Sequence, residues 1–108
     1  MDTIDYEHFS KLKIKIGTIV EAEKVPDADK LMKLTVDFGE EKRTIVSGIA
    51  EWYSSGDLIG KQVPILINLE PRKLRGIESQ GMMLSADEDG AAVLLRPIKE
   101  IPNGSPVF

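Results

Sequence analysis

Apolar and polar residues alternate along most of this chain. From Lys11 the run Lys-Leu-Lys-Ile-Lys-Ile puts Leu12, Ile14 and Ile16 on one face with a period of two, the mark of a half-buried strand. Gly17 interrupts, and Val20 and Ala22 resume the inward parity toward Val25. The glycine therefore predicts a bulge or sharp bend inside one long strand, Lys11–Val25. Pro26-Asp27-Ala28-Asp29 reads as a turn. Leu31–Phe38 alternates again, with Met32, Leu34, Val36 and Phe38 inward and Lys33, Thr35 and Asp37 outward. Gly39 makes a tight connection to a third strand at Arg43–Ser47.

Ile49–Gly60 breaks the alternation. Ile49, Trp52 and Tyr53, then Leu58 and Ile59, fit helical turns, with Ser55-Gly56-Asp57 capping a short piece that ends at Gly60. Val63–Leu69 predicts a strand buried on both faces, Glu70–Gln80 a polar basic loop and Gly81–Ala86 a fifth strand. Asp87-Glu88-Asp89-Gly90 turns the chain into a further strand at Ala91–Arg96, and the tail carries a Pro-Asn-Gly turn at 102–104. Three strands, a short helix and two strands is the order of an OB-fold. The expectation is an all-β, five-stranded barrel with a short helix between strands 3 and 4. Its core would cover about residues 11–86 of a single domain, 1–108. The C-terminal extension 87–108, with Val93, Leu94, Leu95, Ile98, Ile101, Val107 and Phe108, needs apolar cover. It either plugs one end of the barrel or forms a two-fold dimer surface.

Size and composition fit one globule. The 108 residues are 42% hydrophobic and 30% charged, with a mean hydropathy of −0.13, and a chain of this length buries roughly two-thirds of its unfolded surface. With no cysteine and one histidine, His8, thiol chemistry, zinc ribbons and histidine metal clusters are excluded. No apolar run is long enough to span a membrane, and the acidic start is the reverse of a signal peptide, so the expected address is the cytoplasm. Net charge is −4, which by itself argues against a polyanionic partner. The distribution alters that. Residues 61–86 hold four cations against two carboxylates, and Arg72, Lys73 and Arg75 fall within four positions.

On an OB barrel the ligand face crosses strands 2 and 3, between the first–second and fourth–fifth strand loops. The basic features fall there: Lys30 and Lys33 at the start of strand 2, and Arg72, Lys73 and Arg75 in the loop after strand 4. Such groups can hold phosphates at two points of one groove; by charge alone they read equally as a solvated loop. Ser47, Asn68, Ser79 and Gln80 could bond base edges, ribose or phosphate, or cap strand ends. Of Met82 and Met83, alternation sends one inward and leaves one to lie against a ribose or base. None of the six aromatic residues falls on an outward platform of strands 2, 3 and 5. Single-strand binders stack bases on such rings, so the groove suits a folded RNA read by backbone and shape. Asp27 and Asp29 begin like a calcium loop but lack further ligands, and Val46-Ser47-Gly48 lacks the glycine of a nucleophile elbow. No catalytic constellation, metal site or cofactor is expected.

Four runs stand in a recognisable order: Pro26-Asp27-Ala28-Asp29-Lys30-Leu31, Ile45-Val46-Ser47-Gly48, Asn68-Leu69-Glu70-Pro71-Arg72-Lys73-Leu74-Arg75-Gly76 and Glu78-Ser79-Gln80-Gly81-Met82-Met83-Leu84. From Asp5 to the tail the chain resembles the tRNA-binding OB domain at the C-terminus of methionyl-tRNA synthetases. That module is related to free-standing structure-specific tRNA-binding proteins and to the endothelial monocyte-activating polypeptide domain. The resemblance implies a non-catalytic domain that binds folded tRNA, with Lys30, Ser47, Asn68, Lys73, Arg75, Ser79, Gln80 and Met82 at positions of the groove. It implies homodimers formed through the C-terminal extension, and partnership with a methionyl-tRNA synthetase catalytic body in cis or in trans. The CsaA-like chaperones are similar in fold and length, which leaves a protein- or peptide-binding assembly module as the second expectation.

Overall fold

The computed structural model describes residues 1–108. The elements in chain order are α1 (Tyr6–Phe9), β1 (Ile14–Lys24), β2 (Met32–Asp37), β3 (Lys42–Ser47), α2 (Ser55–Leu58), β4 (Gln62–Leu66), β5 (Arg72–Leu74), β6 (Ile77–Ser79), β7 (Met82–Met83), β8 (Ser85–Glu88), β9 (Ala91–Leu94) and β10 (Pro106–Val107). The main sheet runs β3-β2-β1-β4-β7, all neighbours antiparallel, and β7 packs back against β3. This is the expected five-stranded barrel with a short helix between its third and fourth strands. Strand β1 serves two neighbours because it is long and bent: Ile14–Thr18 pairs β4, and Thr18–Lys24 pairs β2.

Alternation in β2 is realised in full, with Met32, Leu34, Val36 and the following Phe38 all buried. They meet Ile19, Ile45, Val63, Ile65 and Met83 in one core cluster, and Ile49 and Leu58 join it from the connection after β3. Fully burying an aliphatic side chain of this kind stabilises the fold by about 1.5–3 kcal/mol. Strand β4 is buried on both faces from Val63 to Leu66, as its unbroken apolar run predicts.

Several expectations are corrected. The first strand begins at Ile14, and Leu12 is exposed. Ile19, not Val20, enters the core, because the register slips between Ile19 and Glu21 and the extra residue shifts parity. Gly17 is not that bulge. A side chain there would collide with Val36 Cγ1 and Phe38, so the glycine permits close approach of β2. Helix α2 is only four residues long; Ile49–Tyr53 is a turn closed by the Trp52 and Tyr53 N–H groups donating to the Ile49 carbonyl. Ser54 is its N-cap, in place of Ser55. The segment Glu70–Gln80 is not an open loop, since β5 and β6 form a hairpin within it. The fifth barrel strand stops at Met83; Ser85–Glu88 pairs instead with Ala91–Leu94, a hairpin turned by Asp89 and Gly90.

The tail folds back onto β1. Beyond the stretch paired with β2, that edge of β1 would be bare; β10 pairs with Ile14 and Lys15, Ile16 N–H donates to Ser105 O, and Gly104 N–H donates to Ile16 O. An unpaired strand edge is thereby covered. The apolar residues Leu95, Ile98, Val107 and Phe108 nevertheless stay exposed, Ile98 and Phe108 almost fully.

Candidate nucleic-acid interface

The predicted basic loop is an ordered hairpin. Arg72 pairs Ser79, Lys73 pairs Glu78 and Leu74 pairs Ile77. Arg75 and Gly76 form a two-residue turn with φ of 53° and 82°, the sign pattern of a type I′ hairpin turn. Pleating gives the hairpin two faces. Leu74 and Ile77 are half-buried and Ser79 is buried, while Lys73 and Glu78 are exposed on the other face. The inner face packs on β3.

The seam between β3 and the strand that closes the barrel is built from side chains as well as backbone. Gln80 N–H donates to Thr44 O at 2.8 Å, and Thr44 N–H donates to Gln80 Oε1 at 3.1 Å. Val46 N–H donates to Ser79 Oγ at 3.0 Å, and that hydroxyl donates to Gly81 O at 3.0 Å. The Arg43 guanidinium donates to Ile67 O at 2.7 Å and Gln80 O at 3.2 Å, and its Nε to Glu41 Oε1 at 2.9 Å. Gly81 lies so close beneath that a side chain would meet Leu66 O at 2.8 Å.

These bonds place the site residues along one band. Toward one end of β3, Ser47 pairs Met32, and the Lys30 carbonyl accepts from Ala50 N–H just beyond. Because Ser79 faces Val46 and Gln80 faces Thr44, β6 is antiparallel to β3, and the hairpin tip at Arg75 projects past Ser47 toward the Lys30 end. Lys33 pairs Val46 across the β2–β3 ladder, on the outer face. Its ammonium lies 3.7 Å from Glu23, which offsets much of its field. Lys30, Arg72, Lys73 and Arg75 are exposed and have no carboxylate partner within ion-pair distance.

Asn68 stands at the other end. Its Oδ1 accepts from Lys13 N–H at 2.9 Å and its Nδ2 donates to Lys11 O at 2.7 Å, fixing the segment that leads into β1. Ile67 shares the Arg43 guanidinium with Gln80, so Asn68 begins near Arg43, four residues along β3 from Ser47 and about 13 Å away at strand spacing. Met82 is half-exposed opposite Leu66, and Met83 points into the core. Arg43 escaped the sequence reading. On the inward parity of β3 it looks like a strand-end solubilising charge, and its carbonyl partners lie 24 and 37 positions away. No group of three or more His, Asp or Glu side chains is placed to hold a metal ion. No helix is long and apolar enough to cross a membrane.

Comparison with known proteins gives a consistent result. The family model described as "Putative tRNA binding domain" matches residues 14–106. A methionine–tRNA ligase of Flavobacterium johnsoniae is 53% identical over 98% of this chain, and one of Archaeoglobus fulgidus is 52% identical over the same share. The chain spans only 15% and 16% of the length of those two relatives. The crystal structure of a MetRS-related protein from Pyrococcus horikoshii superposes with a TM-score of 0.95 at 43% identity, each chain covered in full. The chaperone CsaA of Bacillus anthracis superposes with a TM-score of 0.90 at 33% identity, over 99% of this chain and 100% of that one.

Proposed function

The chain belongs to the tRNA-binding domain family, and from that premise we propose that it is a non-catalytic module that holds folded tRNA for a methionyl-tRNA synthetase. The body it serves is joined to it in cis or met in trans. The observation that carries this reading is the hairpin after β4, which presents Arg72, Lys73 and Arg75 with no carboxylate within ion-pair distance, although Glu78 faces Lys73 across the ladder, at the end of the barrel that also bears Lys30. Those four residues, with Lys33 as a weaker fifth, contact phosphates. Met82 offers an apolar surface, Ser47 and the free Nε2 of Gln80 offer polar contacts, and Asn68 and Ser79 support the groove. With no aromatic platform on β2 or β3, the ligand is read by shape and backbone, and the net charge of −4 keeps its affinity modest and salt-sensitive. Linked to a synthetase body, such a site raises the local tRNA concentration and lowers the amount needed for charging.

The exposed apolar tail supports a homodimer, and a soluble module serving a synthetase works in the cytoplasm. A second reading, a chaperone-like module with a peptide in the groove, draws on the CsaA structure. A titration at low and physiological salt separates the two, using folded tRNA, the same tRNA denatured and a single-stranded oligonucleotide. Preference for folded tRNA that fades with salt is expected. Lys73→Ala with Arg75→Ala should remove about two phosphate contacts from the salt slope. Equal or absent binding to all three nucleic acids would favour the peptide reading.

A further inference from the structure

The loop that carries the three cations begins at Ile67 and ends at Gln80, and one guanidinium holds both ends: Arg43 donates to the carbonyls of Ile67 and Gln80. A few ångströms along β3, the edge N–H groups of Thr44 and Val46 need acceptors. They take them from the Gln80 side chain and the Ser79 hydroxyl. Ser79 is 5% exposed, and its single proton is engaged by Gly81 O. It has no donor left for a ribose or a phosphate. We propose that Arg43, Ser79 and Gln80 form a side-chain clasp that fixes the angle of the β5–β6 hairpin, and that Ser79 and Arg43 affect tRNA binding only by positioning Lys73 and Arg75.

A backbone ladder can slip by two residues and keep its facing pattern, whereas a hydroxyl, an amide and a guanidinium aimed at fixed groups admit a single register. Three cations on a loose hairpin would lose orientational freedom on meeting the RNA; on a clasped one that loss has already been met during folding. This inference rests on the reading of the hairpin as the phosphate-binding element, and its test keeps the two apart.

The test combines amide hydrogen exchange with binding of folded tRNA. The proteins are wild type, Ser79→Ala, Arg43→Gln, the pair Lys73→Ala/Arg75→Ala, and that pair combined with each clasp variant. Expected are faster exchange at residues 72–79 in the clasp variants, joined in Ser79→Ala by the Val46 N–H that loses its acceptor, and a loss of affinity of about five- to ten-fold. On the Lys73→Ala/Arg75→Ala background the further loss should be under about two-fold, because groups acting through the same contacts are not additive. Full additivity would mean that Ser79 or Arg43 touches the RNA itself and would overturn the proposal. So would unchanged exchange in the hairpin, or exchange raised uniformly through the barrel. If the cation pair binds tRNA like wild type, the phosphate reading of the hairpin falls, and with it the link from clasp to RNA, while the exchange result alone still decides whether the clasp exists. Gln80→Met, at an exposed position, supplies the exchange measurement should Ser79→Ala or Arg43→Gln fail to fold.

Discussion

The Gln62 side-chain amide engages both main-chain groups of Ile101. Its Nε2 donates to the Ile101 carbonyl at 2.6 Å, and its Oε1 accepts the Ile101 N–H at 3.1 Å. One side chain thus does for the tail what a neighbouring strand would do. The same Nε2 reaches Asn103 Oδ1, which also accepts from the Thr18 hydroxyl. The first residue of β4 and the middle of β1 therefore hold the turn that brings the tail back to β10.

Gln62→Leu removes this attachment and leaves part-buried polar groups of Ile101 and Asn103 unpaired. The expected cost is about 1–3 kcal/mol, the range for lost bonds with desolvated partners left behind. Urea unfolding checks it, together with faster amide exchange at Ile101 and Gly104. A change below about 0.5 kcal/mol, the usual size of a surface substitution, would show that β10 pairing alone holds the tail.

Much of this barrel is written in short-range pattern, and the rest is long-range. Met32, Leu34, Val36 and Phe38 could be placed because nothing interrupts their period of two. Ile19 could not, since a bulge changes parity without leaving a glycine at the place where it occurs. The β5–β6 hairpin was hidden by its turn: Arg75-Gly76 lacks the Asn or Asp that usually announces two left-handed residues. The basic residues of the candidate site could be singled out from charge and loop position. The work of Ser79, Asn68 and Arg43 could not be, because the bonds that tie them across the fold reach partners 24 to 57 positions away. Hydroxyl and amide side chains carry no trace of whether they face a ligand or a distant main chain.

The exposed tail bears on association. Leu95, Val107 and Phe108 sit around an open apolar cleft with Ile16, Pro64 and Ile101, and contiguous exposed apolar surface is what association sites present. Wild type should sediment as a dimer at micromolar concentration, and Leu95→Glu with Phe108→Asp as a monomer of unchanged fold. Removing residues 97–108 would be a poorer test, because it also strips the edge of β1. A wild-type monomer, or a dimer that survives both charges, would place the association surface elsewhere.

Arg75 separates stability from binding. A non-glycine residue at φ 53° is in the left-handed region, which costs an ordinary side chain roughly 1–2 kcal/mol; asparagine tolerates it better. Arg75→Asn should hold or raise the unfolding free energy, by up to about 1 kcal/mol, while weakening tRNA binding and lowering the salt slope by about one contact. Loss of both stability and affinity would mean that the guanidinium supports the turn.

Helix α2 is a four-residue element that still delivers Leu58 to the core. Asp57 is what shapes it: Oδ2 accepts from Ser54 N–H at 3.0 Å and from Ser54 Oγ at 2.9 Å. The Ser54 main-chain N–H and then its hydroxyl hold this carboxyl below its usual value of 3.8; desolvation opposes them, and the charge of Lys61 adds a still smaller lowering. A group whose pKa is depressed on folding stabilises the fold above its unfolded value, and the contribution fades as pH falls through the folded one. Asp57→Ala should therefore be less stable than wild type at pH 7, with the gap constant down to about pH 5 and closing below 3.8. Asp57→Asn, which keeps an acceptor oxygen without the charge, should fall between them at neutral pH. Denaturant unfolding of the three proteins between pH 7 and pH 2 provides the check. A gap that stays constant to pH 2 would show that Asp57 shapes the turn through geometry alone, with its ionisation contributing nothing.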